Sequence, residues 1–330
     1  MIKKSPAGSA EDGSGLHSRP LTLADAPAVL AVAHDYDRRF FGEPVLALND
    51  LLALWGSLDL ELGRDTEAWL DGERLVGYAT LDARGDLELG VDDGWAWAGL
   101  EEVLLSRWEA TAGRRGLAEV GRYLAGADRE GADRLLARGY VARYTGWVLS
   151  LDPEVALPER PLPAGYAVRP FVEPDAAAVH VLVRDAFAEW GGVPRSYAAW
   201  RATVLDRPDV TPAHHRVMTY AGAVVGACLV IDPDPTGPLE RPEAWVAQLA
   251  VHPGHRRRGL AAGLLAHAGR AARERGTPYL GLSTDTRTGA LGLYQGLGMR
   301  VRHTLVRHAL DLDDPAEGST PDWSAGRTSR

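Results

Sequence analysis

Apolar and polar positions along the chain fall into short blocks whose period switches between two and three to four. Val246 to Val251 is an apolar run of strand length, Pro253 and Gly254 break it, and from Leu260 onward Leu264, Leu265, Ala268 and Ala272 recur at helical spacing. That stretch predicts a strand, a turn and a helix. The same order occurs in the first half, where Leu89 to Leu100 lies without a gap on Leu249 to Leu260. Other blocks repeat at a shift of about 150 to 160 positions. Ser18-Arg19-Pro20-Leu21 with Ala24-Asp25-Ala26 mirrors Val168-Arg169-Pro170-Phe171 with Pro174-Asp175-Ala176, each a short strand leading into a helix capped near an Asp. Asp71 to Gly77 matches Tyr220 to Gly226, a hairpin around a glycine turn. Gly131-Ala132 with Leu135-Leu136 echoes Gly289-Ala290 with Leu293-Tyr294, early in a helix that ends before a last strand.

The chain is therefore expected to be two copies of one α/β plan, each a mixed sheet packed between helices. Pro153, Pro158, Pro161 and Pro163 disfavour regular structure and mark residues 152–165 as a linker between domains at 18–151 and 166–312. Residues 1–17 and 313–330 are polar and read as tails.

Composition narrows the chemistry. The longest apolar run, Ala223 to Ile231, is nine residues, against roughly 18 to 20 for a membrane span. A net charge of -9 argues against a general nucleic-acid binder, which needs clustered cations. The lone cysteine, Cys228, lies in an apolar run and is expected to be buried; it allows no internal disulfide, which fits a cytoplasmic protein. The histidines at 214, 215, 252, 255, 267, 303 and 308 show no metal-ligand spacing, and no metal is assigned.

The exception to the acidic balance is Arg256-Arg257-Arg258. These arginines stand at the first turn of the predicted helix, whose leading amides have no internal partners and face outward at the positive end of the dipole. Gly259 lets a bulky anion approach the backbone and Ala261 keeps the turn uncluttered. A diphosphate suits this place.

Arg256-x-x-Gly259-x-Ala261 after Leu249-Ala250-Val251 resembles the pyrophosphate loop of the GNAT superfamily of acetyl-CoA-dependent N-acyltransferases. Ala290-x-x-Leu293-Tyr294-x-x-x-Gly298-Met299 resembles that family's second motif. The resemblance covers roughly 166–312, a fainter copy covers 18–150, and the tandem arrangement is similar to that of mycothiol synthase. It implies two GNAT-like domains, each with a central, mostly antiparallel sheet, and acetyl-CoA as cosubstrate of an acetyltransferase acting on a primary amine. The pantetheine arm would lie along Leu249, Ala250 and Val251. Amides and side chains from Arg256 through Arg257, Arg258, Gly259 and Leu260 to Ala261 would hold the pyrophosphate, with Arg287 to Gly292 against the cofactor. Tyr294 would serve as general acid to the departing thiolate, a role a phenol can fill.

The base departs from the pattern: Trp245 stands where relatives often carry Glu. Glu243, on the same strand face, is the first substitute, with Asp285, His252 and ordered water as rivals. Arg287 occupies a usual Asn position. Glu189 and Trp190, with Trp245, are candidate acceptor contacts; Asp185, Tyr197 and Trp200 lie in the same covering segment, where packing is the default role of the aromatic residues. The first copy replaces the arginines by Ala96-Trp97-Ala98, Ala261 by Glu101 and Tyr294 by Leu136. Glu101, with no cation to offset it, would repel a diphosphate, so the first half is expected to keep the fold, without the cofactor, and to line part of the acceptor cleft.

The expected protein is thus a monomeric or homodimeric N-acetyltransferase acting by direct attack in its second half. Its partners are acetyl-CoA and an amine of a small molecule or peptide, with no nucleic acid and no membrane. A non-catalytic acyl-CoA-binding module and an enzyme using another acyl-CoA are the alternatives.

Overall fold

The protein is described by a computed structural model covering residues 15–56, 60–96, 99–156, 161–189, 195–233 and 243–312. The first half runs β1 (Leu16–Arg19), α1 (Ala26–Phe41), α2 (Leu48–Trp55), α3 (Leu62–Asp65), β2 (Thr66–Asp71), β3 (Arg74–Leu81), β4 (Leu87–Val91), α4 (Asp93–Ala96), α5 (Leu100–Arg114), β5 (Glu119–Ala125), α6 (Arg129–Ala137) and β6 (Val141–Leu151). The second half repeats the plan as β7 (Tyr166–Pro170), α7 (Ala176–Ala188), α8 (Tyr197–Val204), β8 (Arg216–Tyr220), β9 (Ala223–Ile231), β10 (Glu243–Val251), α9 (Leu260–Glu274), β11 (Tyr279–Asp285), α10 (Leu291–Gly296) and β12 (Arg300–Asp311).

The repeat is visible atom by atom. Arg19 makes a forked pair with Asp25 (2.7 and 2.8 Å), and Arg169 makes the same pair with Asp175 (2.6 and 2.7 Å). Each Asp also accepts from the backbone N–H of the residue three positions earlier, Thr22 or Val172, so one carboxylate ties the first strand to the following helix. The helices α5 and α9 both start after a left-handed glycine, Gly99 (φ 80°) and Gly259 (φ 77°).

The strands, however, do not stay within their copies. The larger sheet has the order β5-β12-β6-β11-β10-β9-β8-β7, while β1-β2-β3-β4 forms the smaller one. β12 runs antiparallel to β5 along Leu305–Asp311, and β6 runs antiparallel to β11 along Gly146–Leu151. Each half thus closes with the other half's last strand. The two exchanged strands pair with each other from Arg300–Ser150 to Ala309–Val141. A parallel bridge between Asp86 and Gly121 brings the edge of the smaller sheet to β5. Both faces of this long sheet are covered, which explains why its central strands read as apolar runs.

Four cores follow from the layers. In the second half, α9 and α10 seal one face through Leu260, Leu264, Leu265 and Tyr294, and α7 and α8 seal the other through Val179, Val183 and Trp200. In the first half α5 covers one face (Leu104, Leu105, Trp108), and α1 and α2 the other (Val29, Leu51, Trp55). Among the described residues no helix is long and apolar enough to cross a membrane.

Candidate active site

β10 changes neighbours along its length, and the site follows from that. Glu243 to Val246 pair in parallel with Tyr279 to Leu282 of β11, and there the register ends. A bulge at Ala247 lies between Val246 and Gln248, after which β10 continues to pair with β9 alone. Bulges re-aim a strand and interrupt its ladder. Beyond Val246, β10 and β11 part and leave a slot edged by backbone.

At the end of this slot the chain turns into α9. Arg257 (φ 62°) and Gly259 (φ 77°) both take left-handed backbone. For an arginine this conformation costs about 1 kcal/mol or more, and such strain clusters where a site needs its amides aimed. Left-handed residues alternating with others bend successive N–H groups toward one point, a concavity for anions, and the first turn of fifteen-residue α9 adds its own amides. Nothing lies within 4 Å of where a Cβ on Gly259 would stand, so an anion can approach the backbone there.

Slot and turn open into a cleft of about 630 Å³, the size of a small-molecule site. Of the residues singled out from sequence, Leu249, Val251, Arg256, Arg257, Gly259, Leu260, Ala261, Arg287 and Tyr294 line it. Tyr294 is 8% exposed, and burial, with Cys228 nearby, pushes its phenol up to about 12. It keeps its proton at neutral pH. Arg256 donates to the Val251 carbonyl (3.0 Å) and pairs with Glu189 at 2.5 Å, so Glu189 stands beside the anion turn. Arg287 is held by Asp285 (2.6 Å) and stacks on Tyr144 at 3.8 Å from the ring centre.

Several expected residues fall elsewhere. Arg258 donates to the Tyr166 hydroxyl (3.2 Å) and is not in the lining. Ala250 is buried in the core against α7, because beyond the bulge its side faces away from α9. Gly292 lies on α10 outside the lining, and Trp190 is outside the described residues. Glu243, the first candidate base, is 8% exposed, accepts from the Ser150 hydroxyl (2.5 Å) and pairs with Arg302 (3.1 Å). Glu243 and Trp245 flank Gly281, and neither lines the cleft. Of the rivals, His252 accepts from the Gly254 amide in the turn, whereas Asp285 does line the cleft.

The expectation that the first half lines part of the acceptor cleft named no residues for it. Tyr123 of β5 and Tyr144, Gly146, Trp147 and Val148 of β6 line the same cleft, together with Phe187 of α7 and Leu305 of β12. The residues of β5, β6 and β12 come there through the strand exchange, a long-range pairing with no local signature.

The corresponding place in the first half is filled by side chains. Arg122 donates to Glu101 (2.8 Å) and to the β4 carbonyl of Leu89 (3.2 Å), and Arg134 also reaches Glu101 (3.2 Å). This corrects the expectation that no cation offsets Glu101. Burial pushes its carboxyl up, but the two arginines outweigh that and hold it below the ordinary value. Among the described residues no cluster of His, Cys, Asp and Glu is arranged to hold a metal ion.

Residues 177–299 match the sequence profile of the Acetyltransferase (GNAT) family. No curated protein sequence matches the chain. Among solved structures, a GCN5-related N-acetyltransferase from Sphaerobacter thermophilus superposes with a TM-score of 0.75 at 23% identity, covering 90% of this chain and 96% of that one. A tandem GNAT protein from the clavulanic acid biosynthesis pathway gives 0.67 at 18% identity, covering 90% and 98%. An N-myristoyltransferase from Saccharomyces cerevisiae with bound myristoyl-CoA gives 0.63 at 10% identity, covering 94% and 82%. Residues 177–299 are thus similar to the acetyltransferase (GNAT) family, and the fold of the chain as a whole is that of these GNAT structures, the tandem one included.

Proposed function

We propose that the protein transfers an acetyl group from acetyl-CoA to a primary amine in the cleft of its second half. One observation carries this reading: the split between β10 and β11, the left-handed turn before α9 and Tyr294 meet in a single cleft. An amide-bearing arm fits the slot, a diphosphate fits the turn, and Arg256 and Arg257 supply charge.

The residues suit direct attack. The amine nitrogen bonds to the thioester carbonyl carbon, the C–S bond breaks, and Tyr294 donates a hydrogen bond to the leaving sulfur. Asp285 draws the ammonium form of the acceptor in, and its proton leaves to solvent through the mouth of the cleft. A covalent acyl-cysteine route does not suit Cys228, which is fully buried and whose thiol burial pushes up to about 12. The Arg122–Glu101 pair favours a first half that supports the site without binding the donor.

Thiol release from acetyl-CoA across a panel of amines tests the proposal. Amine-dependent release that Arg256→Glu abolishes is expected; acetyl-CoA binding with no release for any amine would instead make the protein a sensor of acyl-CoA.

A further inference from the structure

We propose that the acceptor is an amine carried on a planar apolar ring, and that the first half of the chain selects it through Tyr123 and Tyr144. This rests on reading the cleft as an acyltransferase site and names the substrate class of that site.

Strand exchange places β5 and β6 so that both tyrosines share a cavity with Tyr294. Their rings lie 6.1 Å apart at 70°, and their hydroxyls are hydrogen-bonded to each other at 2.5 Å. The Arg287 guanidinium covers Tyr144 and is itself held by Asp285. The hydroxyls of the two tyrosines are therefore engaged with each other, and with Arg287 over Tyr144 what this pair offers an occupant is chiefly the ring of Tyr123. Phe187 adds to it from α7 and Leu305 from β12. Tyr123 and Phe187 are 43% and 37% exposed although they stand in a concave wall, so an occupant would take both from water. Aromatic pairs favour edge and offset contacts, which this wall presents to a flat ring.

Competing occupants fit less well. A sugar or a peptide would press hydroxyl or amide groups against rings, and each one left without a partner weakens binding by roughly tenfold or more. A long acyl chain on the donor would bury hydrocarbon against the Asp285–Arg287 pair. An amine on a ring places its ammonium beside Asp285 and its ring on the tyrosines.

The test uses the full chain with acetyl-CoA and four acceptors: tryptamine, phenethylamine, glucosamine and a dipeptide. Thiol release gives kcat and KM for wild type, Tyr123→Phe and Tyr123→Ala, and titration gives the acetyl-CoA Kd. The two ring amines should exceed glucosamine and the dipeptide at least about tenfold in kcat/KM. Tyr123→Ala should raise the tryptamine KM about tenfold with little change in kcat, and Tyr123→Phe should restore it, since the ring and not the hydroxyl makes the contact. Acetyl-CoA affinity should be the same in all three proteins. A preference for glucosamine or the dipeptide, or a KM equally damaged in the Phe and Ala variants, overturns the inference while leaving acyl transfer intact. It is also overturned if lengthening the acyl chain tightens donor binding and Tyr123→Ala erases that gain. Absence of release with every acceptor overturns the underlying acyltransferase reading and this inference with it.

Discussion

Replacing Tyr294 by Phe removes one oxygen and keeps the ring that packs with Leu297 and Met299 in the core. The size of the effect follows from two acidities. A departing thiolate has a conjugate-acid pKa of ~8.5, while burial lifts the Tyr294 phenol to about 12. Full proton transfer to sulfur would run uphill by about 3.5 units, roughly 5 kcal/mol. On the proposed reaction the phenol would therefore act by donating a hydrogen bond as charge grows on sulfur. Bonds to charged groups contribute ~1.5–3 kcal/mol, so kcat should fall about 10- to 150-fold. Because this interaction strengthens only as the C–S bond breaks, the acetyl-CoA Kd should hold within about twofold. Steady-state thiol release and donor titration give both quantities. A kcat unchanged in the variant, or a donor affinity lost in step with kcat, refutes the reasoning. An alkaline limb near pH 9 to 10 that vanishes with Tyr294→Phe would refute the burial account of its acidity.

Other outcomes follow from named contacts. Arg256→Glu should weaken acetyl-CoA binding more than about 100-fold, whereas Glu189→Gln, which releases Arg256 from its 2.5 Å partner, should tighten it; titration at two salt concentrations checks both. Arg122→Ala leaves half-buried Glu101 with Arg134 alone and should cost about 1.5–3 kcal/mol in urea unfolding, with donor affinity of the folded protein retained. Residues 1–151 and 152–330 expressed apart should each fail to fold and should recover on co-expression, because each lacks the strand that closes its sheet; two soluble, cooperatively unfolding halves would contradict this. His215 accepts from the Val230 amide while fully buried, and burial lowers it to about 4. The native state then binds fewer protons than the unfolded chain below the ordinary value of 6.5, so stability is full above that pH and falls as pH drops toward 4, by about 3 kcal/mol in all. Denaturation midpoints at pH 7 and 5 for wild type and His215→Asn should show this slope in the first and lose most of it in the second.

Much of this protein is legible in its sequence because the physics involved is local. The hairpins at Asp71–Gly77 and Tyr220–Gly226 rest on turn residues, and the Arg19–Asp25 and Arg169–Asp175 forks span six positions. The anion turn from Arg256 to Ala261 follows the end of β10 at Val251 and holds a left-handed glycine and a helix start, all coded within about ten consecutive residues. Tertiary structure decided what depends on distant partners. Glu243 and Arg302 are 59 residues apart, and only folding shows that the carboxylate is engaged with Arg302 and turned away from the cleft. Glu101 finds Arg122 across a distance of 21 residues. The exchange of β6 and β12 has no signature in either strand, since alternation tells a strand which face it shows but never which neighbour it takes. It is that choice of neighbour, settled by the packing of the whole sheet, that carries Tyr123 and Tyr144 from the first half into the second half's cleft.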